Sequence, residues 1–143
     1  MATVVDAFDA ALRYRRDVLS ARLRAEGLPD AVWILPTHLM FGRFYDDDLA
    51  GALPIGVTSH RDLHALDTNG HGGTIGGGNH PYMVNPLSAY CAWCMIREVV
   101  MGEDASGMPA WPVDGGTADL AAYLRGVAVD IARGYAPAGL GWT

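Results

Sequence analysis

An amphipathic repeat near the N-terminus constrains the fold of this chain more than any other feature. Between about Val4 and Glu26, apolar residues recur at the three- and four-residue spacing of a helix. These residues are Val5, Phe8, Leu12, Leu19 and Leu23, and the arginines lie mostly off their stripe, where we expect a solvated face. Gly27 is suited to end the helix, and Pro29 prevents it from resuming. Because a helix with one apolar stripe must be covered by a neighbour, the rest of the chain has to supply that surface.

Four later segments predict strands. Residues 31–45 are apolar and aromatic, but Pro36 and Gly42 interrupt them, which favours one or two short strands over a long helix. The stretch "DDDLAGALPIGV" predicts a turn and another strand, and its three aspartates, Asp46 to Asp48, form either a solvated turn or a site for a hard cation. "PYMV" and "MPAWPV" each predict a further strand. The glycine-rich "GHGGTIGGGNHP" predicts a loop that serves as an active-site rim or a plain linker.

Three more helices are predicted from capping residues and apolar spacing. Thr58 or Ser59 can cap a short helix through "HRDLHALD". The next helix carries a ladder of apolar residues four apart, namely Leu87, Cys91, Met95 and Val99. Thr117 caps a final helix that Gly134 and Pro137 close, and its stripe comprises Leu120, Leu124, Val127, Ile131 and Tyr135.

The order of these segments predicts the fold class. Helices alternate with short strands throughout the 143 residues, and neither an internal repeat nor a domain linker is found. We therefore predict a single globular domain over residues 1–143, of mixed α/β (α+β) class, with a small central sheet flanked by helices.

Composition narrows the classes of partner. The chain has a net charge of -6 and no lysine, so all ten of its basic residues are arginines. Duplex nucleic acid is an unfavourable partner, because lysine and arginine contacts to phosphates supply most sequence-independent affinity. The N-terminus lacks the pattern of a signal peptide, and no apolar run is long enough to cross a bilayer. We expect a cytoplasmic protein that binds a small molecule, without a membrane, as a homo-oligomer or assembly partner.

Cys91 and Cys94 are the only cysteines, and they suit a metal better than a disulfide framework. At positions i and i+3 on the first turn of a helix, both thiolates can reach one ion. His60 lies 31 residues upstream of Cys91, at the start of another predicted helix. These three ligands predict a zinc site whose fourth position is open to water, as a hydrolytic zinc requires. Alternatively, His64 closes the site as a structural centre with two cysteines and two histidines.

At these residues the chain resembles the zinc-dependent cytidine deaminase superfamily. The segment "SHRDLHAL" is similar to the family's HxE helix, and "NPLSAYCAWC" is similar to its PCxxC helix. The resemblance implies a deaminase-like three-layer arrangement with His60, Cys91 and Cys94 as zinc ligands. It places Asp62 where the family has its catalytic glutamate.

The implied activity is deamination of a nucleoside-like substrate. Zinc-bound hydroxide would attack an amidine carbon, and Asp62 would move the proton as ammonia leaves. For binding the substrate, the candidates are Trp93 and Tyr82 as stacking residues and His71 as a polar contact.

A non-enzymatic function is the alternative hypothesis. The acidic surface without lysine, the many glycines and the aromatic C-terminal segment "GYAPAGLGWT" are compatible with a structural or assembly subunit of a larger particle. Under that hypothesis the histidines and cysteines have structural roles alone. The zinc content of the protein separates the two hypotheses.

Overall fold

Helices account for most of the structure. The computed structural model describes residues 2–30, 32–66, 79–110 and 116–135. In chain order the elements are α1 (Ala2–Ala25), α2 (Thr37–Leu49), a 3-10 turn (His60–Leu63), β1 (His64–Leu66), β2 (Asn79–Val84), α3 (Pro86–Ile96), a π-helical turn (Arg97–Met101) and α4 (Ala118–Gly134).

The predicted first helix is confirmed by α1, including its end. Gly27 adopts φ 69°, a left-handed conformation that glycine takes without a steric penalty. The N–H of Leu28 donates to the carbonyl of Leu23 at 2.9 Å, which satisfies one of the last free carbonyls of the helix. The stripe itself differs from the prediction, because Phe8 and Leu19 lie outward. The half-buried positions are Val5, Asp9, Leu12, Arg16, Ser20 and Leu23.

The strands predicted for residues 31–45 are wrong, because most of this segment forms α2. Pro36 lies just before the helix, at its N-cap position, and so interrupts nothing. Gly42 lies inside α2 because α1 approaches closely there: a Cβ at Gly42 would come within 3.3 Å of Val5 Cγ2. Met40 and Phe44, one turn apart, bury the apolar face of α2 in the core.

The strands that do form make a two-stranded antiparallel ribbon. His64 of β1 lies opposite Val84 of β2, and Leu66 lies opposite Asn79, with an irregularity between the two pairs. β2 contains the predicted strand "PYMV". In the described part of "HRDLHALD", residues 60–66, only the 3-10 turn is helical, and His64 already begins β1.

The predicted α/β class with a central sheet is therefore wrong: the fold is helical, with the ribbon as its only sheet within the four described ranges. Asp46–Asp48 lie in the last turns of α2, and the segment after them, through Val57, contains no strand. The first part of "MPAWPV", Met108–Ala110, is not a strand either, and its other residues lie outside the described ranges. Without a central sheet, the deaminase-like three-layer arrangement has no middle layer.

The predictions for α3 and α4 are confirmed. The side chain of Asn85 accepts from the N–H of Ser88 at 2.9 Å, and Ser88 Oγ accepts from the N–H of Asn85 at 3.0 Å, so the two residues cap α3 reciprocally. Thr117 Oγ1 accepts from the N–H of Leu120 at 3.1 Å and caps α4. The core lies where α3 and α4 pack together and against α2, and its larger buried side chains include Met40, Phe44, Leu63, Tyr90, Met95 and Leu124.

A buried carboxylate joins the π-helical turn to α4. Glu98 is fully buried, and its Oε1 accepts from the N–H of Ala105 at 2.7 Å. Arg133 donates from Nε to Oε2 at 3.0 Å and from NH2 to Oε1 at 2.9 Å. Such bidentate pairing supplies the hydrogen bonds that a buried carboxylate needs.

Candidate functional site

The two cysteines of the predicted zinc site lie in the hydrophobic core. Both side chains are fully buried in the cluster that contains Phe44, Tyr90 and Leu124. Since α3 begins at Pro86, they lie beyond its first turn, where the N-terminal end of the helix would have favoured thiolates. Burial raises the pKa of Cys91 well above the usual value for a thiol, and burial also raises that of Cys94. Both residues therefore pack in the core as neutral thiols.

His60 is held by an aspartate that sequence reasoning did not connect with it. Asp48 Oδ2 accepts from the ring Nδ1 of His60 at 2.6 Å, from the backbone N–H of His60 at 2.9 Å and from Ser59 Oγ at 3.1 Å. These bonds, above all that from the backbone N–H, hold the pKa of Asp48 below its usual value. Asp48 lies 12 residues upstream in α2, so only the fold brings this pair together.

Asp62, the predicted acid/base, caps the 3-10 turn. Its Oδ2 accepts from the N–H and Oγ1 of Thr58, both at 2.8 Å, and from the N–H of Ser59 at 3.1 Å. Burial raises the pKa of Asp62, but these hydrogen bonds outweigh it and leave the pKa below its usual value. The carboxylate is thus an ionised hydrogen-bond acceptor for the local backbone.

The rival ligand His64 is also part of the packing. Its ring is buried, stacked on Phe41 at 4.6 Å between centroids, and it lies edge-on to the ring of His60 at 5.8 Å. Across the four described ranges, no group of three or more His, Cys, Asp or Glu side chains is placed to hold a metal ion. The described donors therefore do not fit a zinc ion with three protein ligands.

The predicted substrate contacts are not gathered at one place either. Trp93 lies on the outer side of α3, about half exposed, whereas Cys91 and Cys94 point into the core. His71 lies outside the described residues, as does the side chain of Tyr82, whose backbone belongs to β2. The 3-10 turn that contains His60 is joined to the start of α3, because Asn85 Nδ2 donates to the carbonyl of Asp62 at 2.6 Å.

A surface on α1 is the feature that sequence reasoning missed. We call it the outer face of α1 and define it as Val4, Phe8, Ala11, Arg15, Val18, Leu19 and Arg22, all of them exposed. The apolar side chains Val4, Phe8, Val18 and Leu19 are exposed by 49%, 54%, 49% and 51%. The sequence holds a signal for this surface. The half-buried stripe of α1 includes the polar residues Asp9, Arg16 and Ser20, so some of the apolar residues of the helix have to lie outside that stripe.

The stripe of α1 that faces the body adjoins this outer face, and a polar cluster around Asp9 fastens it. Asp9 Oδ1 accepts from Tyr135 Oη and from His38 Nε2, the latter at 3.0 Å, and its Oδ2 accepts from Arg13 Nε at 2.5 Å. Burial raises the pKa of Asp9, but these hydrogen bonds outweigh it and leave the pKa below its usual value. The pKa of Tyr135 rises to about 12 through burial and its bond to Asp9.

Leu12 extends this attachment with apolar contacts to the cluster of Ile34, Val99, Ala132 and Tyr135. Together, the polar and apolar contacts join α1 to α2 and to the end of α4. They fix which side of α1 faces away from the body of the protein.

Comparisons with family models, curated proteins and solved structures returned no match. The resemblance to cytidine deaminases is not tested by them and stays a prediction. No helix in the part of the chain that the structure describes combines the length and apolar character needed to cross a membrane.

Proposed function

We propose that this protein is a non-enzymatic assembly subunit that associates with further copies of itself through the outer face of α1. The observation that carries the proposal is the exposure of Val4, Phe8, Val18 and Leu19 on a helix whose adjoining stripe is already fastened to the body. Because the fold leaves these side chains in water, burying them against another chain is favourable.

The geometry of α1 supports a protein-binding surface. The four apolar side chains occupy one side of a helix of 24 residues, so they form a strip rather than isolated surface residues. Scattered apolar side chains are normal on a monomer, whereas a contiguous apolar strip with polar edges is typical of an interaction site. Ala11 and the aliphatic stem of Arg15 connect the pair Val4 and Phe8 to the pair Val18 and Leu19, and Arg22 lies at the C-terminal end of the strip.

The competing zinc-hydrolase hypothesis has less support in the described residues. Its proposed acid/base, Asp62, is used as a cap, and its proposed thiolate ligands are buried as neutral thiols. The self-assembly proposal requires no group to leave its present contacts. A protein that binds zinc at Cys91 and His60 would reverse this preference.

The test is the molar mass of purified protein by size-exclusion chromatography with light scattering over a range of loading concentrations. We expect an oligomer in the wild type and a monomer in Phe8→Asp and in Val18→Asp, because each places a charge within the apolar strip. Ile55→Asp is the matched control, since Ile55 is 86% exposed and lies far from α1 in the sequence. Thermal unfolding of each variant shows whether it is folded.

Each outcome decides the proposal. An oligomer that survives Ile55→Asp but is lost in the two α1 variants supports it. A wild-type protein that stays monomeric at the highest concentration overturns it, as does an oligomer that Phe8→Asp and Val18→Asp leave intact.

A further inference from the structure

We infer that the self-assembled protein binds a phosphate-type oxyanion between the Arg15 side chains of two copies, an inference that rests on the proposed self-assembly. The ligand is inorganic phosphate or a similar divalent oxyanion. Because its site exists only where two copies meet, the anion tightens the assembly and so regulates association through the outer face of α1.

Arg15 differs from the other arginines of α1 in its contacts. It is exposed, and none of the described residues forms a hydrogen bond or an ion pair with it. A carboxylate pairs with each of the other four: Arg13 with Asp9, Arg16 with Asp17, Arg22 with Glu26 and Arg24 with Asp30. Arg15 is therefore the arginine of α1 whose charge the fold leaves uncompensated.

The surroundings of Arg15 on the helix are apolar. Residues three and four positions away lie beside it on the helix surface. These positions hold Ala11, Leu12, Val18 and Leu19. The outer face contains no carboxylate, and Glu26, which pairs with Arg22, lies about 16 Å further along α1, from 11 residues at about 1.5 Å each. When a second α1 covers the strip, neither outer face supplies an acidic partner for Arg15.

Association brings the two Arg15 residues together in either orientation of the helices. Two apolar pairs flank Arg15, Val4 with Phe8 on one side and Val18 with Leu19 on the other. To cover both pairs, a second α1 has to be centred near residue 13. The two Arg15 residues then lie level in a parallel pair and about 6 Å apart along the axis, or four residues, in an antiparallel pair. Since packed helices have axes about 8–10 Å apart, both guanidinium groups can reach one small ion.

A divalent oxyanion suits two neighbouring guanidinium groups. Its charge compensates both of them, and the planar fork of each guanidinium matches the spacing of its oxygens with paired hydrogen bonds. Without the anion, the long stems let the two like charges move apart into water, so the dimer still forms but is weaker. The whole chain carries -6 and does not attract anions in general, so binding depends on this local pair of arginines.

Sedimentation equilibrium of the full-length wild type tests the site, in sodium chloride and in inorganic phosphate at equal ionic strength and pH. A ligand that binds only the dimer multiplies the association constant by one plus the ratio of its concentration to its dissociation constant. We therefore expect about 20 mM phosphate to lower the dissociation constant of the dimer about tenfold if the site binds phosphate at about 2 mM.

Two variants show whether Arg15 is the source of this response. Arg15→Gln removes the guanidinium group, and we expect the variant to dimerise equally in chloride and in phosphate. Arg24→Gln is the matched control, because Arg24 lies on α1 outside the outer face and pairs with Asp30. We expect this control to respond to phosphate as the wild type does. Thermal unfolding of both variants shows that they are folded.

The outcomes separate this inference from the proposed function. If Phe8→Asp disrupts the wild-type dimer but phosphate acts no more strongly than chloride, self-assembly stands and the anion site is wrong. A phosphate response that survives Arg15→Gln also overturns the site. If the wild type is monomeric in both salts, the proposed function fails and this inference with it.

A phosphate group on a lipid is the other source of the same chemistry. If free phosphate has no effect, but the wild type floats with vesicles containing phosphatidic acid and not with neutral vesicles, Arg15 binds a lipid headgroup. That result would overturn the free-ion site between two copies.

Discussion

Alanine substitutions at Cys91 and His60, made singly and together, test whether the two side chains share a metal ion. In the structure, Cys91 is a buried neutral thiol on α3, and His60 pairs with Asp48 at the end of α2. If the residues act separately, their effects on the free energy of unfolding should add. If both bind one zinc ion, either substitution alone should remove nearly all of the metal's contribution.

The magnitudes follow from burial and hydrogen bonding. Cys91→Ala removes one heavy atom from the core, comparable to deleting a methyl group, so we expect a loss of about 0.5–1.5 kcal/mol. His60→Ala breaks a partly exposed pair with Asp48, which is typically worth about 0.2–1 kcal/mol. The double variant should therefore lose about 0.7–2.5 kcal/mol, with a coupling energy within about 0.5 kcal/mol of zero.

The assay is equilibrium unfolding in urea, followed by tryptophan fluorescence and circular dichroism, with and without a chelator. We expect the chelator to leave the wild type and all three variants unchanged. A coupling energy above about 2 kcal/mol that disappears in the chelator would refute the reasoning, because metal binding free energy becomes folding free energy. That result would restore the predicted zinc site.

Two further substitutions test the polar contacts that hold the fold. Asp62→Ala should lower the free energy of unfolding by about 1 kcal/mol at pH 7. The backbone N–H groups of Thr58 and Ser59 lose the carboxylate that accepts their hydrogen bonds. The pKa of Asp62 is lowered from its usual 3.8, so this contribution to stability is present above pH 3.8 and is lost as the pH falls through the folded-state pKa. If the free energies of unfolding of wild type and variant fell equally with acid, this prediction would be contradicted. Arg133→Ala should lower the free energy of unfolding, measured in urea, by about 3 kcal/mol, because it leaves Glu98 buried without its partner. The double variant Glu98→Gln with Arg133→Ala should recover part of that loss. No recovery would indicate that the charge of Glu98 is not the source of the cost.

Local signals predicted three of the four α-helices that lie in the described ranges. α1, α3 and α4 combine apolar spacing with capping residues that act within a few positions, such as Gly27 and Thr117. α2 was mispredicted because Pro36 and Gly42 were interpreted as interruptions. Their actual roles depend on position and on tertiary contact: Pro36 precedes the helix, and Gly42 permits the close approach of Val5.

The arrangement of the candidate site was less predictable than the helices. A motif gives the spacing of Cys91 and Cys94 but not the direction in which their helix faces, and here that direction is the core. The partner of His60 comes from Asp48, and the outer face of α1 exists because Asp9 is tied to Tyr135, 126 residues later. Pairings across such distances are set by the packing of whole elements rather than by local sequence.

Sedimentation equilibrium of the wild-type protein, over a wide range of concentrations at low salt, tests the central claim most directly. We predict a reversible equilibrium between monomer and dimer, with a dissociation constant of about micromolar magnitude, as suits an interface formed by one helix from each chain. A single species of one chain mass, 15.2 kDa, at every concentration would contradict self-assembly through α1.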